Sequence, residues 1–350
     1  MKALVLRGAY DIAVEDRPDP QAAPGEVVIE VIATGICGSD FHGYSGENGR
    51  RHPGQVMGHE TVGRVAELGE GVTGPLPGRL VTVNPVMSCG TCEACRAGQQ
   101  QACAQRVVLG VAPEVSAAFA DRMTVPVTNV VPLPEEMPEE LGALVEPLAV
   151  GYHAVRRGSP RSDDRLLVIG GGPIGQACLL AARRLGVTRI AVSDVAAPPR
   201  DLCAKLGAAV IDPTAAPLAA AVDDVLGGPA TLVVDAVGVS PTLADAFAAS
   251  ALGSRIVLVG MGSPQLELSA YAVSTEERTL VGAFTYTAEE FAETAAWVGT
   301  VPDGLASLID GRVGWDGAPQ SFDDLARGRT TASKILVFPQ GPPPAEEARP

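Results

Sequence analysis

Hydrophobic residues in the first 150 positions form short runs that end at glycine, proline or asparagine. The runs KALVLRG, VVIEVIATGI, TVGRVAELG and GRLVTV have the length and the β-branched content of strands. The glycines and prolines between them are typical of tight turns. The pattern therefore predicts an irregular β domain over residues 1–152.

From residue 165 the pattern changes to strand-like runs that alternate with helix-like runs. LLVIG, RIAVSD, TLVVDAVG and RIVLVG are strand-like, whereas QACLLAARRLG, PRDLCAKLG and PTLADAFAASALG are helix-like. This alternation predicts a parallel sheet with right-handed crossovers, and the lack of strict polar alternation predicts helices on both of its faces. We expect an α/β fold with a doubly wound Rossmann sheet over residues 153–286.

The chain after residue 286 is expected to return to the first domain. TYTAEEFAETAAWV indicates a helix that begins with a capping box, with Thr287 as N-cap and Glu290 three residues later. The strand-like run KILVFP would then complete the first domain, which takes in residues 287–340. Residues 341–350 are rich in proline and lack a core-forming pattern, so we expect a disordered tail.

Composition narrows the classes of function. The chain has 350 residues, with 26 Lys and Arg against 41 Asp and Glu, and a formal net charge of −15. This acidic balance argues against nucleic-acid binding, which needs a basic surface. The N-terminus lacks a signal-peptide core, and glycines and a proline interrupt the apolar stretch 166–182. We expect a cytoplasmic protein without a membrane span, whose partners are small molecules.

Four of the seven cysteines lie close together, at Cys89, Cys92, Cys95 and Cys103. The spacing CxxCxxCx7C lets four thiolates converge on one tetrahedral zinc ion with no open position, which is a structural role. An iron–sulfur cluster uses similar spacing, but its common short motif has proline after the last cysteine, where this chain has Ala104. Four free thiols on one loop are the remaining alternative. The spacing favours structural zinc.

A glycine-rich motif follows the strand-like run LLVI and opens a helix-like run. In GGGPIG the first glycine permits a tight turn, the second admits a pyrophosphate, and the third lets helix and strand pack closely. The alternative is a glycine-rich turn that binds no cofactor. The residues expected to bind the cofactor are Gly170, Gly172, Pro173, Ile174, Gly175, Asp194, Arg200, Val237 and Val259.

Asp194 decides between the two nicotinamide dinucleotides. It ends the run RIAVSD and lies 194 − 175 = 19 positions after Gly175. A carboxylate at this point accepts hydrogen bonds from the ribose hydroxyls and repels a 2′-phosphate, so NAD is favoured over NADP. Arg200, six residues later, does not overturn that preference.

The first domain contains further residues of the types that bind metal ions. Cys37 lies in TGICGSDFH, His59 and Glu60 lie in VMGHE, and Glu146 lies in LVEPLAV. Thiolate, imidazole and carboxylate groups suit zinc, and a glutamate in an apolar stretch needs a partner that a metal would supply. Each residue also has an ordinary structural interpretation, as a buried thiol, a core histidine or a carboxylate at a helix start.

Apart from the Pro-rich tail, the whole sequence resembles the zinc-dependent medium-chain dehydrogenase family, and most of all its polyol branch. The resemblance rests on GICGSDFH, GHE, the four-cysteine segment, VEPLAV, VIGGGPIG and Asp194, in the order of the family. It implies a GroES-like catalytic domain with a structural zinc lobe beside a Rossmann NAD-binding domain. It also implies a homo-oligomer, either a tetramer or a dimer.

The resemblance also implies roles for individual residues. Cys37 and His59 would ligate a catalytic zinc, and Glu60 and Glu146 would ligate it directly or through water; which of the two binds at rest stays open. Ser39 would accept the substrate's hydroxyl proton, and His42 would pass it on. Glu146 occupies the position of a cysteine ligand in liver-type alcohol dehydrogenases, which favours polyols and other secondary alcohols as substrates.

The function implied is zinc- and NAD-dependent oxidation of a secondary alcohol of a polyol, sugar or cyclitol to the ketone, with two zinc ions per chain. A dehydrogenase of L-threonine or of a simple secondary alcohol is the nearest alternative. A non-catalytic protein that binds zinc and nucleotide for regulation is the alternative from another class.

Overall fold

The computed structural model describes residues 1–47, 49–112 and 117–344. The strands are β1 (Lys2–Gly8), β2 (Asp11–Asp16), β3 (Glu26–Gly35), β4 (Glu60–Leu68), β5 (Leu80–Val83), β6 (Val86–Met87), β7 (Val107–Val108), β8 (Arg122–Pro126), β9 (Val130–Pro132), β10 (Arg165–Ile169), β11 (Arg189–Ser193), β12 (Ala209–Ile211), β13 (Ala230–Asp235), β14 (Ser250–Leu258), β15 (Thr279–Gly282), β16 (Gly311–Val313) and β17 (Ile335–Val337). The α-helices are α1 (Gly38–Tyr44), α2 (Glu93–Arg96), α3 (Val145–Arg157), α4 (Pro173–Arg184), α5 (Ala197–Lys205), α6 (Leu218–Leu226), α7 (Ser240–Ala248), α8 (Ala270–Ser274), α9 (Ala288–Val298) and α10 (Ala318–Ala326).

The chain divides into two compact units. The first contains residues 1–146 and the described residues from 291 onward, and the second contains residues 147–290. The boundaries expected from the sequence, after residues 152 and 286, lie a few residues from these. Of the tail for which we expect disorder, residues 345–350 lie outside the described part of the chain.

The first unit is built around a mostly antiparallel sheet in which β3 is central and only β16 and β17, among the described strands, pair in parallel. β3 pairs with β4, β8 and β17, so the last strand of the chain lies in the same sheet as the N-terminal strands. The buried side chains of Val27, Ile29 and Val31 alternate along β3 and pack against Val65 and Val81. In the pairing of β3 with β4, Gly35 lies opposite Glu60. The end of β3 is therefore held beside the start of β4.

The second unit contains a six-stranded parallel sheet in the order β12-β11-β10-β13-β14-β15. The strand order reverses beside β10, as it does in doubly wound nucleotide-binding folds. The predicted α/β fold class is confirmed. One helix is shorter than predicted: the helical pattern extends to Gly253, but α7 ends at Ala248 because Ser250 pairs with Ala230 at the start of β14.

The predicted capping box of α9 is confirmed. The N–H of Glu290 donates to Thr287 Oγ1 over 3.0 Å, and the N–H of Thr287 donates to Glu290 Oε2 over 2.9 Å. Glu290 Oε2 also lies 2.7 Å from His153 Nδ1, which joins α9 to α3. Among the described helices, none is both long and apolar enough to cross a membrane.

Candidate active site and cofactor sites

Cys37 lies between the end of β3 and the first turn of α1. It is the N-cap of α1, and Asp40, at the third position of the helix, accepts a hydrogen bond from the Cys37 N–H over 3.1 Å. This is the geometry of a capping box, with a carboxylate that satisfies a backbone donor at the helix start. The run CGSD therefore fixes the backbone that carries the Cys37 thiol.

His59 and Glu60 are placed by a turn that only glycine can form. Gly58 has a φ of +100°, and a Cβ at this position would lie 2.9 Å from the backbone nitrogen of Phe119. Glu60 then begins β4, opposite Gly35. The glycine of GHE is thus required by the backbone, and it brings the imidazole and the carboxylate next to the end of β3.

The two segments bring together a thiol, an imidazole and a carboxyl group. Ligand atoms of Cys37, His59 and Glu60 all lie within 4.8 Å of one another. His59 and Glu60 are 6% and 1% exposed, so these two groups are largely screened from water, whereas Cys37 is only partly buried. Three ligands of these types fit a catalytic zinc ion, which keeps a further position for substrate.

Glu146 is placed differently from Glu60. It is buried at the start of α3, and its charge contributes to raising the pKa values of His59 and Lys334. Within the part of the chain that the structure describes, it does not join the close set of three ligands. This arrangement favours Glu60 as the nearer carboxylate and leaves to Glu146 an electrostatic effect on the same site.

Asp40 is a site residue that the sequence analysis missed. It is fully buried, and its Oδ1 lies 3.6 Å from His59 Nδ1. Neither atom has a hydrogen-bond partner among the described residues. A ligating histidine commonly turns its second nitrogen toward a carboxylate in this way, so the pair fits a metal bound by the other nitrogen of His59.

The charges around His59 determine its protonation. Burial alone would lower the pKa of His59, but the negative charges of Asp40 and Cys37 outweigh it and raise that pKa to about 10. Zinc binds the neutral imidazole, so it would displace a tightly held proton at this position.

Arg51 belongs to the same buried group. Although Arg51 lies in a charged loop, its side chain is only 1% exposed, and its Nη2 lies 3.8 Å from Asp40 Oδ1. Nη2 also donates to the backbone carbonyl of Ser39 over 3.4 Å. The stem of Arg51 occupies the space that a Cβ at Gly43 would fill. Arg51 therefore lies behind Asp40 and balances part of its charge.

Lys334 is the second residue that the sequence analysis missed. It is 4% exposed, and its Nζ donates to Glu60 Oε2 over 2.5 Å. Burial would lower the pKa of Lys334, but the charges of Glu60 and Cys37 outweigh it and hold that pKa above its usual value. A Cβ at Gly35 would lie 2.3 Å from Glu60 Oε2 and 2.9 Å from Lys334 Cδ, so Gly35 provides the space for this ion pair.

The two residues expected to move the proton lie on α1. Ser39 lies in its first turn, and His42 lies in its last. His42 is exposed, stacks on Phe41 and places Nδ1 2.7 Å from Glu47 Oε2. The position of His42 suits exchange with solvent, and the proton-transfer roles of both residues stay predictions.

The four-cysteine lobe is a compact cluster in the first unit. The sulfur atoms of Cys89, Cys92, Cys95 and Cys103 lie within 4.8 Å of one another, with separations of 3.6 Å from Cys89 to Cys103 and 3.9 Å from Cys89 to Cys95. Tetrahedral zinc with Zn–S distances of about 2.3 Å holds its sulfur ligands about 3.8 Å apart. The cluster therefore fits a closed, structural zinc site.

Backbone donors prepare one thiol of the lobe for metal binding. The N–H groups of Thr91 and Cys92, together with the Thr91 hydroxyl, lower the pKa of Cys89 to about 6. Zinc binds the thiolate form of cysteine. These hydrogen bonds thus favour the ionised form of Cys89.

The glycine-rich turn of the second unit has the geometry of a phosphate cradle. Gly170 has a φ of +96°, and a Cβ at Gly175 would lie 1.8 Å from the Gly170 carbonyl oxygen. By contrast, a Cβ at Gly172 would meet no atom within 4 Å. Gly172 is also the N-cap of α4, and no side chain caps that helix end. The open space and the uncapped N–H groups fit a pyrophosphate.

The other predicted cofactor residues follow strands of the same parallel sheet or lie on the helices of the second unit. Pro173 and Ile174 open α4, and a Cβ at Gly170 would lie 2.7 Å from Val237 Cγ2. Val259 directly follows β14, and its N–H donates to the carbonyl of Asp235. Asp194 follows β11 and accepts a hydrogen bond from the Gly171 N–H over 2.7 Å. Arg200 donates to the Asp194 carbonyl.

Comparison with known proteins identifies the family. Residues 23–135 match the alcohol dehydrogenase GroES-like domain, and residues 173–300 match the zinc-binding dehydrogenase domain. The chain belongs to the zinc-dependent medium-chain dehydrogenase family. A probable D-xylulose reductase A of Emericella nidulans is 31% identical to it over 338 residues, which cover 93% of this chain and 94% of that protein.

Solved structures of the family are similar over nearly the whole chain. An alcohol dehydrogenase of Escherichia coli, complexed with NADH, has a TM-score of 0.89 and 27% identity, covering 97% of this chain and 99% of that one. A putative zinc-binding dehydrogenase of Sinorhizobium meliloti, bound to NADP, has a TM-score of 0.88 and 28% identity with the same coverage. The predicted family, GroES-like and Rossmann domains, enzyme class, and zinc and nicotinamide cofactors are confirmed.

Proposed function

We propose that this dehydrogenase oxidises a secondary alcohol of a polyol, sugar or cyclitol to the ketone with NAD as hydride acceptor, reversibly. The observation that carries the proposal is the set of Cys37, His59 and Glu60, whose ligand atoms lie within 4.8 Å of one another. The similarity to a D-xylulose reductase supports a sugar or polyol substrate. Because solved relatives hold either NADH or NADP, the preference for NAD rests on Asp194.

Cys37, His59 and Glu60 would hold the catalytic zinc. When bound, zinc supplies Lewis acidity, which lowers the pKa of an alcohol hydroxyl. Asp40 faces His59 Nδ1 and would orient its ring, Arg51 balances part of the charge of Asp40, and Lys334 holds Glu60 through an ion pair.

The proton and the hydride leave the substrate by separate routes. The glycine-rich turn and Asp194 would hold NAD, which supplies the hydride acceptor. Ser39 would receive the hydroxyl proton, and the exposed His42 would release it to water with Glu47 as its hydrogen-bond partner. The sum is one alcohol and one NAD consumed, and one ketone, one NADH and one proton formed.

A substrate panel tests the proposal. NADH formation is followed by absorbance with polyols, sugars, cyclitols, L-threonine and simple secondary alcohols, with NAD and NADP as alternative cosubstrates. We expect the highest kcat/KM for a polyol, sugar or cyclitol with NAD. The highest value for L-threonine or a simple alcohol would contradict the substrate class. Absence of turnover for every compound, with two zinc ions bound, would favour the regulatory alternative.

We further infer a homo-oligomer. β15 is an edge strand, since in the described sheet it pairs only with β14. Near it Leu252 and Tyr271 are 74% and 78% exposed, and an open strand edge beside large apolar side chains is suited to association. Light scattering after size-exclusion chromatography is expected to give a dimer or tetramer, and a monomer would contradict it. The cytoplasmic location stays a prediction.

A further inference from the structure

The ribose end of the dinucleotide site is built on two neighbouring parallel strands. β11 and β12 pair with Ser193 opposite Ile211, so Asp194 and Asp212 both follow the carboxyl ends of paired strands. The Asp194 side chain is fixed by two backbone donors: Oδ2 accepts from Gly171 over 2.7 Å and Oδ1 accepts from Ala196 over 2.8 Å. Asp194 is therefore held beside the glycine-rich turn, where the ribose of a dinucleotide binds.

Arg200 lies at the same corner but is already engaged. From α5, its Nη1 donates to the backbone carbonyl of Asp194 over 2.7 Å, and its Nη2 lies 2.8 Å from Asp212 Oδ2. Its side chain is only 16% exposed. A guanidinium is the group that accommodates a ribose 2′-phosphate in NADP-binding folds. Here both terminal nitrogens are bound by the protein itself.

Asp212 is oriented to hold this guanidinium. Its Oδ1 accepts hydrogen bonds from the Thr214 N–H over 2.9 Å and from the Thr214 hydroxyl over 2.6 Å. This arrangement leaves Oδ2 for Arg200. The bonds from Thr214, and after them the charge of Arg200, lower the pKa of Asp212, so its carboxylate is ionised at neutral pH.

We propose that Asp212 is a coenzyme-specificity residue that retains Arg200 and so prevents it from binding a 2′-phosphate. Two carboxylates and one guanidinium then face the ribose corner, and the local charge stays negative. The preference for NAD thus has two sources, repulsion by Asp194 and retention of Arg200 by Asp212. This inference rests on the proposed use of NAD.

The test compares binding of NADH and NADPH by fluorescence titration of the zinc-loaded enzyme. In Asp212→Asn the amide oxygen still accepts from Thr214, whereas the charge that retains Arg200 is lost. We expect NADPH to bind about tenfold more tightly while the Kd of NADH changes about twofold at most, because a charge-assisted bond to phosphate becomes available. Asp212→Ala should give the same change. Asp223→Asn, an exposed carboxylate on α6 of the same unit, is the matched control and should change neither Kd.

The double variant Asp212→Asn/Arg200→Ala should lose the gain in NADPH binding. A gain that persists without Arg200, or an Asp212→Asn variant that binds NADPH no better than Asp223→Asn does, would overturn the proposal. The titration needs no alcohol. A protein that discriminates the two dinucleotides as expected but oxidises no compound of the panel would contradict the proposed function alone.

Discussion

The two candidate metal sites of the first unit differ in how far apart their proposed ligands lie along the chain. The lobe takes all four thiols from residues 89–103, whereas the catalytic set joins Cys37 to the His59–Glu60 pair and depends on Lys334, 274 positions from Glu60. A local site can form as soon as its loop closes. A distributed site forms only when β3, β4 and the end of the chain share one sheet. The zinc of the lobe is therefore expected to contribute mainly to stability, and the zinc of the catalytic set mainly to turnover.

The largest effect is expected at the catalytic set. His59→Ala removes a ligand, and we expect kcat to fall by about 10³-fold or more, since the Lewis acid is lost from the site. Zinc content should fall from two ions per chain to one, with the circular dichroism spectrum unchanged. The matched control is His52→Ala, an exposed histidine in the preceding loop, which should keep both zinc ions. If His59→Ala retained kcat within tenfold, His59 would not be a catalytic ligand.

The lobe should respond in the opposite way. Cys95→Ser removes one of four ligands from a closed site, and the free energy of unfolding should fall by about 4 kcal/mol, because binding of a structural metal contributes directly to folding. The kcat per catalytic zinc should change little. Urea denaturation and kinetics on the same preparation separate the two quantities. Glu93→Gln, an exposed residue of the same lobe, serves as control. A loss of kcat without a loss of stability would reverse the roles of the two sites.

This difference also explains which parts of the molecule the sequence could predict. The lobe and the glycine-rich turn are encoded by spacing over a few residues, and the structure places their members together as expected. No sequence pattern indicates that Lys334 belongs to the site. It is only the first residue of the run KILVFP, and the pairing of β17 with β3 brings it to Glu60. The position of Arg51 in a charged loop predicts a solvated side chain. In the structure its stem fills the space beside Gly43, and the side chain is buried. Long-range packing decides both cases.

The buried ion pair of Lys334 and Glu60 tests how strongly two distant parts of the chain are coupled energetically at the catalytic set. Lys334→Met leaves Glu60 as an uncompensated buried charge, and we expect a loss of about 3–5 kcal/mol of unfolding free energy. The double variant Lys334→Met/Glu60→Gln should recover most of that loss, because it removes both charges. Denaturant titrations of the four proteins give the coupling energy. A free energy of unfolding for Lys334→Met within about 1 kcal/mol of that of the native protein would contradict this coupling.

The same cycle, run with zinc and after chelation, decides which carboxylate binds the metal. If Glu60 ligates zinc at rest, the ion compensates its charge, and Lys334→Met should be less destabilising in the zinc-loaded protein than in the chelated one. If Glu146 is the ligand instead, the effect of Lys334→Met should be the same in both conditions. Zinc content is measured on each sample to confirm its state.

The smallest effect concerns pH. In the zinc-free site the pKa of His59 is about 10, so zinc must displace the proton that the imidazole holds at neutral pH. The affinity of this site for zinc should therefore fall by about tenfold for each pH unit of acidification between about pH 9 and 7, on account of His59 alone. In the zinc-free protein the protonated His59 stabilises the fold fully below pH 6.5, the ordinary pKa of histidine, and this contribution is lost as the pH rises through about 10.

Asp40→Asn removes the charge of Asp40, which raises the pKa of His59, so the slope of zinc affinity against pH that is due to His59 should become shallower. Competition with a chromophoric chelator measures the slope, and Glu47→Gln, at an exposed carboxylate that follows α1, is the control. Equal slopes in the native protein and Asp40→Asn would show that Asp40 does not set the protonation of His59.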